Sequence, residues 1–154
     1  MLDCILVPLD GTRQAESALQ IAANLIVPWG KLIIIRIISH MEIGGRLEKS
    51  WLSSLGFEEY VLPSIPDLAI QEAQEYMQTV ISINDLEVKY ETQVLIETPH
   101  TKILEIAQSE EIQAIIMYRH LYPALKSWVS GEISSRIVQN ASCPIILVTP
   151  NTKV

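Results

Sequence analysis

At 154 residues, 49% hydrophobic and 19% charged, with 8 prolines and 6 glycines, the chain has the size and composition of one compact domain, which excludes a disordered or fibrous polymer. Its net charge of −7 comes from 11 Lys+Arg against 18 Asp+Glu, and the scattered bases make no stripe for a phosphate backbone, so nucleic-acid binding is not expected. No apolar run approaches the roughly 20 residues of a membrane span, and the opening "MLDCILVPLD" puts an acid where a secretory leader carries positive charge; a cytoplasmic protein without a membrane partner is expected.

"CILVPL", Cys4 to Leu9, is a continuous apolar run closed by Asp10-Gly11-Thr12, as a strand buried on both faces reads. From Arg13 to Val27 the apolar positions Ala15, Ala18, Leu19, Ala22, Leu25 and Ile26 recur at threes and fours behind Thr12, an N-cap, and predict a helix stopped by Pro28-Trp29-Gly30. "KLIIIRIIS", Lys31 to Ser39, is the next strand, and strand, helix, strand implies a right-handed unit with parallel strands. His40 to Ile65 breaks this rhythm with Gly44-Gly45, Gly56 and Pro63, and reads as a long variable loop insertion. Its Trp51, Leu52 and Phe57 dock either on the body or on an unidentified protein partner.

Pro66-Asp67 opens a second helix with a stripe of Leu68, Ala69, Ala73, Tyr76, Met77, Val80 and Ile81. Leu86 to Ile96 alternates Val88, Tyr90, Thr92 and Val94 with polar residues, and one solvated face marks an edge strand. Thr98-Pro99 caps a third helix reaching Ser109; "AIIM", Ala114 to Met117, is the fourth strand. A helix from about Ser130 to Asn140 and a fifth strand, Cys143 to Val148, complete a single α/β domain spanning 1–154. The alternation predicts a doubly wound parallel sheet with helices on both faces.

In such sheets ligands sit beyond the carboxyl ends of the strands, where strand order reverses. With the first strand central, Asp10 to Thr12, Ser39 and His40, and Tyr118 to His120 converge there. Asp10 suits either a ligand contact or a hydrogen-bonded turn. His40 and His120 with Asp10 would make a two-His-one-carboxylate set, but their spacing does not support a metal, and two loop histidines are the simpler reading. Cys4 and Cys143 lack zinc or CxxC spacing and are expected to be reduced thiols. No nucleophile-base order or metal motif points to an enzyme, so no catalytic residue is assigned; a small hydrolase using Asp10 and the histidines is the remaining enzymatic alternative.

"ILVPLDGTRQAESAL", "ETPHTKILEIAQSEEIQAIIM" and "GEISSRIVQNASCPIILV", in that order along nearly the whole chain, resemble the universal stress protein family of the UspA type. The resemblance implies strand order 3-2-1-4-5. It also implies an adenine-nucleotide crevice, ATP or AMP, between strands 1 and 4, with Pro8, Leu9, Asp10, Met117, Gly131 and Ile133 as candidate contacts and Arg119 as a new cation beside them. The ATP-binding branch carries Gly, two residues, Gly, nine residues, Gly and Ser or Thr after the fourth strand, because glycine lets backbone N–H groups reach phosphates. Here Tyr118, Leu121, Gly131 and Glu132 stand at those positions. Bulky groups replace small ones, and the Glu132 carboxylate beside a phosphate costs about 1–4 kcal/mol. ATP binding through the glycine loop is not expected, and no resident cofactor is assigned. In the implied order the last strand is an apolar edge, so a homodimer pairing through Pro144, Ile145, Ile146, Leu147 and Val148 is expected.

Overall fold

Two apolar runs too continuous for a half-solvated sheet form the middle of the molecule: β1 (Leu2–Leu9) and β2 (Ile26–Ile38). The structure is a computed structural model that describes residues 1–44, 65–109, 111–120 and 131–152. The expected variable loop therefore falls largely outside the described residues, including Trp51, Leu52 and Phe57, and so does Leu121.

Around the central pair lie β3 (Lys89–Ile96), β4 (Ala114–Tyr118) and β5 (Ile145–Val148), giving one sheet of order β3-β2-β1-β4-β5. Every pairing is parallel, as the expected order 3-2-1-4-5 requires. The helices are α1 (Glu16–Leu25), α2 (Ile65–Asn84), α3 (Pro99–Ser109) and α4 (Gly131–Asn140), with a 3₁₀ turn over Arg13–Ala15 before α1.

Strand alternation divides the core in two. Ile5, Val7, Leu9, Leu32, Ile34 and Ile116 face α1 and α2, where Leu19, Ala22, Met77 and Val80 meet them. Leu6, Ile33, Ile35, Ile37, Ile115 and Met117 face α3 and α4, against Ile103, Ile106, Ala107 and Ile137. Ile5, Leu6, Leu32, Ile33, Ile34 and Ile35 are fully enclosed, each burial stabilising the fold by about 1.5–3 kcal/mol. Truncating one of them, as in Ile34→Ala, costs about 2–5 kcal/mol because the sheet cannot collapse into the void.

Two boundaries depart from the sequence reading. Pro28-Trp29-Gly30 does not end a helix before a new strand; these residues lie inside β2. Between Leu2↔Ile26 and Cys4↔Lys31, β1 advances two residues while β2 advances five, so the intervening residues bulge out of the ladder. Pro28 then forfeits no ladder hydrogen bond, and Trp29 is left exposed. Gly30 is required at the crossing, since a Cβ there would lie 2.5 Å from Ile26 Cγ1 and 2.8 Å from the Asp3 carbonyl.

The second departure is at Ser39, where the loop expected from His40 begins as a helix over His40 to Gly44. Ser39-His40-Met41-Glu42 is a capping box: the Glu42 N–H donates to Ser39 Oγ at 3.2 Å and the Ser39 N–H donates to Glu42 Oε2 at 2.7 Å. β3 is an edge strand as expected, but its exposure does not alternate. Its first four residues are exposed and its last four half-buried, because only its later half is covered.

Candidate functional site

β1, β2 and β4 end side by side, and a polar cluster covers their carboxyl ends. Gly11 turns the chain out of β1 with φ +84°, a left-handed conformation that favours glycine. The turn closes on Asp10, whose Oδ1 accepts from the Thr12 N–H at 2.9 Å and the Thr12 hydroxyl at 2.6 Å. Thr12 Oγ1 in turn accepts the Ala15 N–H at 3.4 Å, capping the first helical turn as the sequence implied. Asp10 Oδ2 lies 2.8 Å from His120 Nε2. Because a carboxylate only accepts, Nε2 carries the proton in this bond. The Asp10 side chain has no exposure and that of His120 only 10%, so the pair is screened from water. The ring of Tyr118 meets that of His120 edge-on, with centroids 4.8 Å apart. Burial, with Asp10 second, raises the Tyr118 phenol above its ordinary value.

A second buried pair stands beside the first. Arg36 interrupts the isoleucines of β2 and faces α2, where it donates to the Ile37 carbonyl and, at 2.7 Å, to Glu42 Oε1. A Cβ on Gly11 would lie 3.0 Å from Arg36 Nη2, so the turn and the guanidinium pack with no room between them. Arg36 thus ties the β1 turn to the capping box at Ser39. Tyr76 of α2 donates its hydroxyl to the Thr12 carbonyl at 3.3 Å. Burial holds its phenol far above the ordinary range, Glu16 and Asp10 push the same way, and Arg36 opposes them.

Of the residues expected to converge, Asp10, Thr12, Tyr118 and His120 do meet. His40 is exposed at the start of its helix. Among the described residues no three His, Cys, Asp or Glu side chains are grouped to hold a metal. Pro8 is buried, and Leu9 and Met117 are fully buried in opposite halves of the core. Ile133 is half-buried against the α3/α4 half, and Gly131 heads α4. Arg119 lines a separate cleft of about 180 Å³ with Ser134, Ser135, Val138, Gln139 and Leu147. Among the described residues neither Cys4 nor Cys143 is in a disulfide; both are half-buried, and burial raises the Cys143 thiol.

The sequence reading missed Arg36, Glu42 and Tyr76. A signal existed for Glu42, because Ser and Glu three residues apart after a strand mark a capping box. Arg36 was visible as the lone charge in an apolar strand, but its partner lies beyond that strand. Tyr76 was counted for its ring alone.

β5 has β4 as its strand partner and closes one side of the sheet, as expected. Pro144 is exposed, Ile145, Ile146 and Leu147 are half-buried, and Val148 is buried. After β5 the chain turns, with the Thr149 N–H donating to Thr152 Oγ1 at 2.9 Å. Among the described residues no helix is long and apolar enough to cross a membrane.

Comparison with known proteins places this geometry in context. Universal stress protein MJ0577 of Methanocaldococcus jannaschii is 25% identical over 150 residues, covering 94% of this chain and 93% of its own. Its solved structure superposes with a TM-score of 0.74 at 22% identity, over 99% of both chains. A universal stress protein of Archaeoglobus fulgidus, solved in complex with dAMP, matches with a TM-score of 0.59 at 18% identity over 96% of this chain and 97% of its own. A further universal stress protein structure, solved in complex with cAMP, matches with a TM-score of 0.53 at 13% identity, over 96% of this chain and 97% of its own. The model of the universal stress protein family matches residues 1–149, so the chain belongs to the universal stress protein family.

Proposed function

We propose that this chain is a non-enzymatic, cytoplasmic stress-response protein that acts as a homodimer and does not hold ATP through a glycine loop. The observation that carries the reading is the engagement of Asp10, whose two oxygens accept from Thr12 and from His120 at a side chain with no exposure. Tyr118, at the first glycine position of the ATP-binding pattern, packs on the same histidine. A triphosphate would have to displace this pair and bring its charge toward a desolvated carboxylate, where like charges repel most strongly. Calorimetry with ATP, and mass spectrometry of the purified protein after denaturation, test the reading. Neither bound nucleotide nor micromolar ATP affinity is expected, and finding either would overturn it.

The homodimer is supported by the half-exposed apolar edge of β5. Sedimentation at micromolar concentration should give twice the chain mass; a monomer there would refute edge pairing.

A second reading, adenine-nucleotide binding without the triphosphate, is favoured by the relatives solved with dAMP and cAMP. AMP and cAMP arms of the same calorimetry distinguish the two, because saturable heat with these and none with ATP selects the second.

A further inference from the structure

We propose that the cleft between α4 and β5 binds a small phosphate-type oxyanion, with Arg119 as its cation. The placement follows from the sheet. Arg119 is the first residue beyond β4, and its N–H donates to the Val148 carbonyl at 2.7 Å, so its backbone continues the ladder to β5. Side chains alternate along that ladder, with Met117 on the α3/α4 face and Tyr118 on the α1/α2 face. Arg119 consequently falls on the α3/α4 face, away from Asp10. Neighbours in sequence, Tyr118 and Arg119 serve opposite sides of the sheet.

On that side Arg119 joins Ser134, Ser135 and Gln139 around a cleft of about 180 Å³, with Val138 and Leu147 as its apolar lining. At the volume water occupies in the liquid this is room for about six molecules, more than one tetrahedral oxyanion needs. Among the described residues no carboxylate lines the cleft, although the chain carries 18 acidic residues. Glu132, the acid of α4's first turn, is held at 2.8 Å by Arg136 one turn further on. Among the described residues Arg119, like Arg13 and Lys89, has no carboxylate partner, and of these three only Arg119 lines the cleft. A guanidinium beside hydroxyl and amide groups, with no acid among the described lining residues, suits two parallel N–H···O bonds to a phosphate-type oxyanion. The proposal depends on neither the dimer nor the β1/β4 crevice.

Titration of the full chain with inorganic phosphate, followed by calorimetry and ³¹P line width, tests it. Saturable binding with Kd of about 1 mM or tighter is expected. Arg119→Ala should weaken it about tenfold or more, and Arg119→Lys should retain part of it as a point charge without the fork. Arg119 is exposed, so both variants should fold, which circular dichroism checks. Phenyl phosphate binding tighter than inorganic phosphate would assign the site to a monoester whose organic part lies on Val138 and Leu147; equal affinity would assign it to the free ion. Absence of saturable binding up to about 10 mM phosphate, or undiminished binding by Arg119→Ala, would overturn the proposal.

Discussion

The turn above β1 and the edge of β5 belong to one sheet, separated only by β4, and they treat their chemistry in opposite ways. At the turn, charged and polar side chains face inward and answer one another: Asp10 with Thr12 and His120, Arg36 with Glu42, Tyr76 with the Thr12 carbonyl. At β5, Ile145, Ile146 and Leu147 are only half covered, and among the described residues the strand has a neighbour on one side. Buried polar groups that find partners inside the chain have little left to offer a ligand. A half-covered apolar edge has its pairing capacity intact. Within one sheet, then, the strand tips close the molecule and the strand edge opens it.

Breaking the inward side should cost the most. Arg36→Met leaves Glu42 without its cation in a site where the two side chains are 10% and 20% exposed. A loss of about 2–4 kcal/mol is expected, less than for a fully dry pair because Glu42 regains some water; urea unfolding measures it. His120→Ala removes the donor to a carboxylate with no exposure, and about 1–3 kcal/mol should be lost. His120→Asn, which can restore a donor, should recover part of that loss.

The phenols sharpen the same comparison through pH. Burial raises Tyr76 and Tyr118 above the ordinary value of 10.0, so the folded state keeps protons that the unfolded state releases. Their contribution is therefore complete below about pH 10 and declines as pH rises past it. Thermal melts between neutral and strongly alkaline pH should show this decline, and Tyr76→Phe should flatten it.

The gentlest change belongs to the outward side. Pro144 and Val148 turn their carbonyls toward β4, so alternation turns the Ile145 and Leu147 backbone groups away from it. Ile145→Pro removes an outward N–H that no strand among the described residues uses, and the fold should lose only about 1 kcal/mol. Sedimentation should nevertheless shift from dimer to monomer. A variant that stays dimeric would place the interface elsewhere.

The strand order was legible because each apolar run is short, dense and bounded by turn residues, and a chain alternating such runs with helical stripes has few ways to cover its sheet. The start of β2 was not legible. Proline and glycine next to a strand normally mark its limit, and only the pairing register reveals that Pro28 and Trp29 loop out of a strand that has already begun. The site was legible as a place and partly as a membership. Strand ends converge by topology, so Asp10, Thr12, Tyr118 and His120 could be grouped from the sequence. Which of them would satisfy one another, and that Arg36 would reach Glu42, depends on side-chain directions that spacing does not encode.

The opposite border of the sheet sets a ceiling on assembly. β3 offers Lys89, Tyr90, Glu91 and Thr92 to solvent, with Lys31 and Glu91 paired across it at 3.2 Å, and strands so decorated resist docking by another chain. If β5 pairs two copies as proposed, the hydrated β3 margin leaves room for one such joining only. Growth of the proposed dimer would stop there, because both outward margins of such a pair would carry charge, which disfavours a fibre.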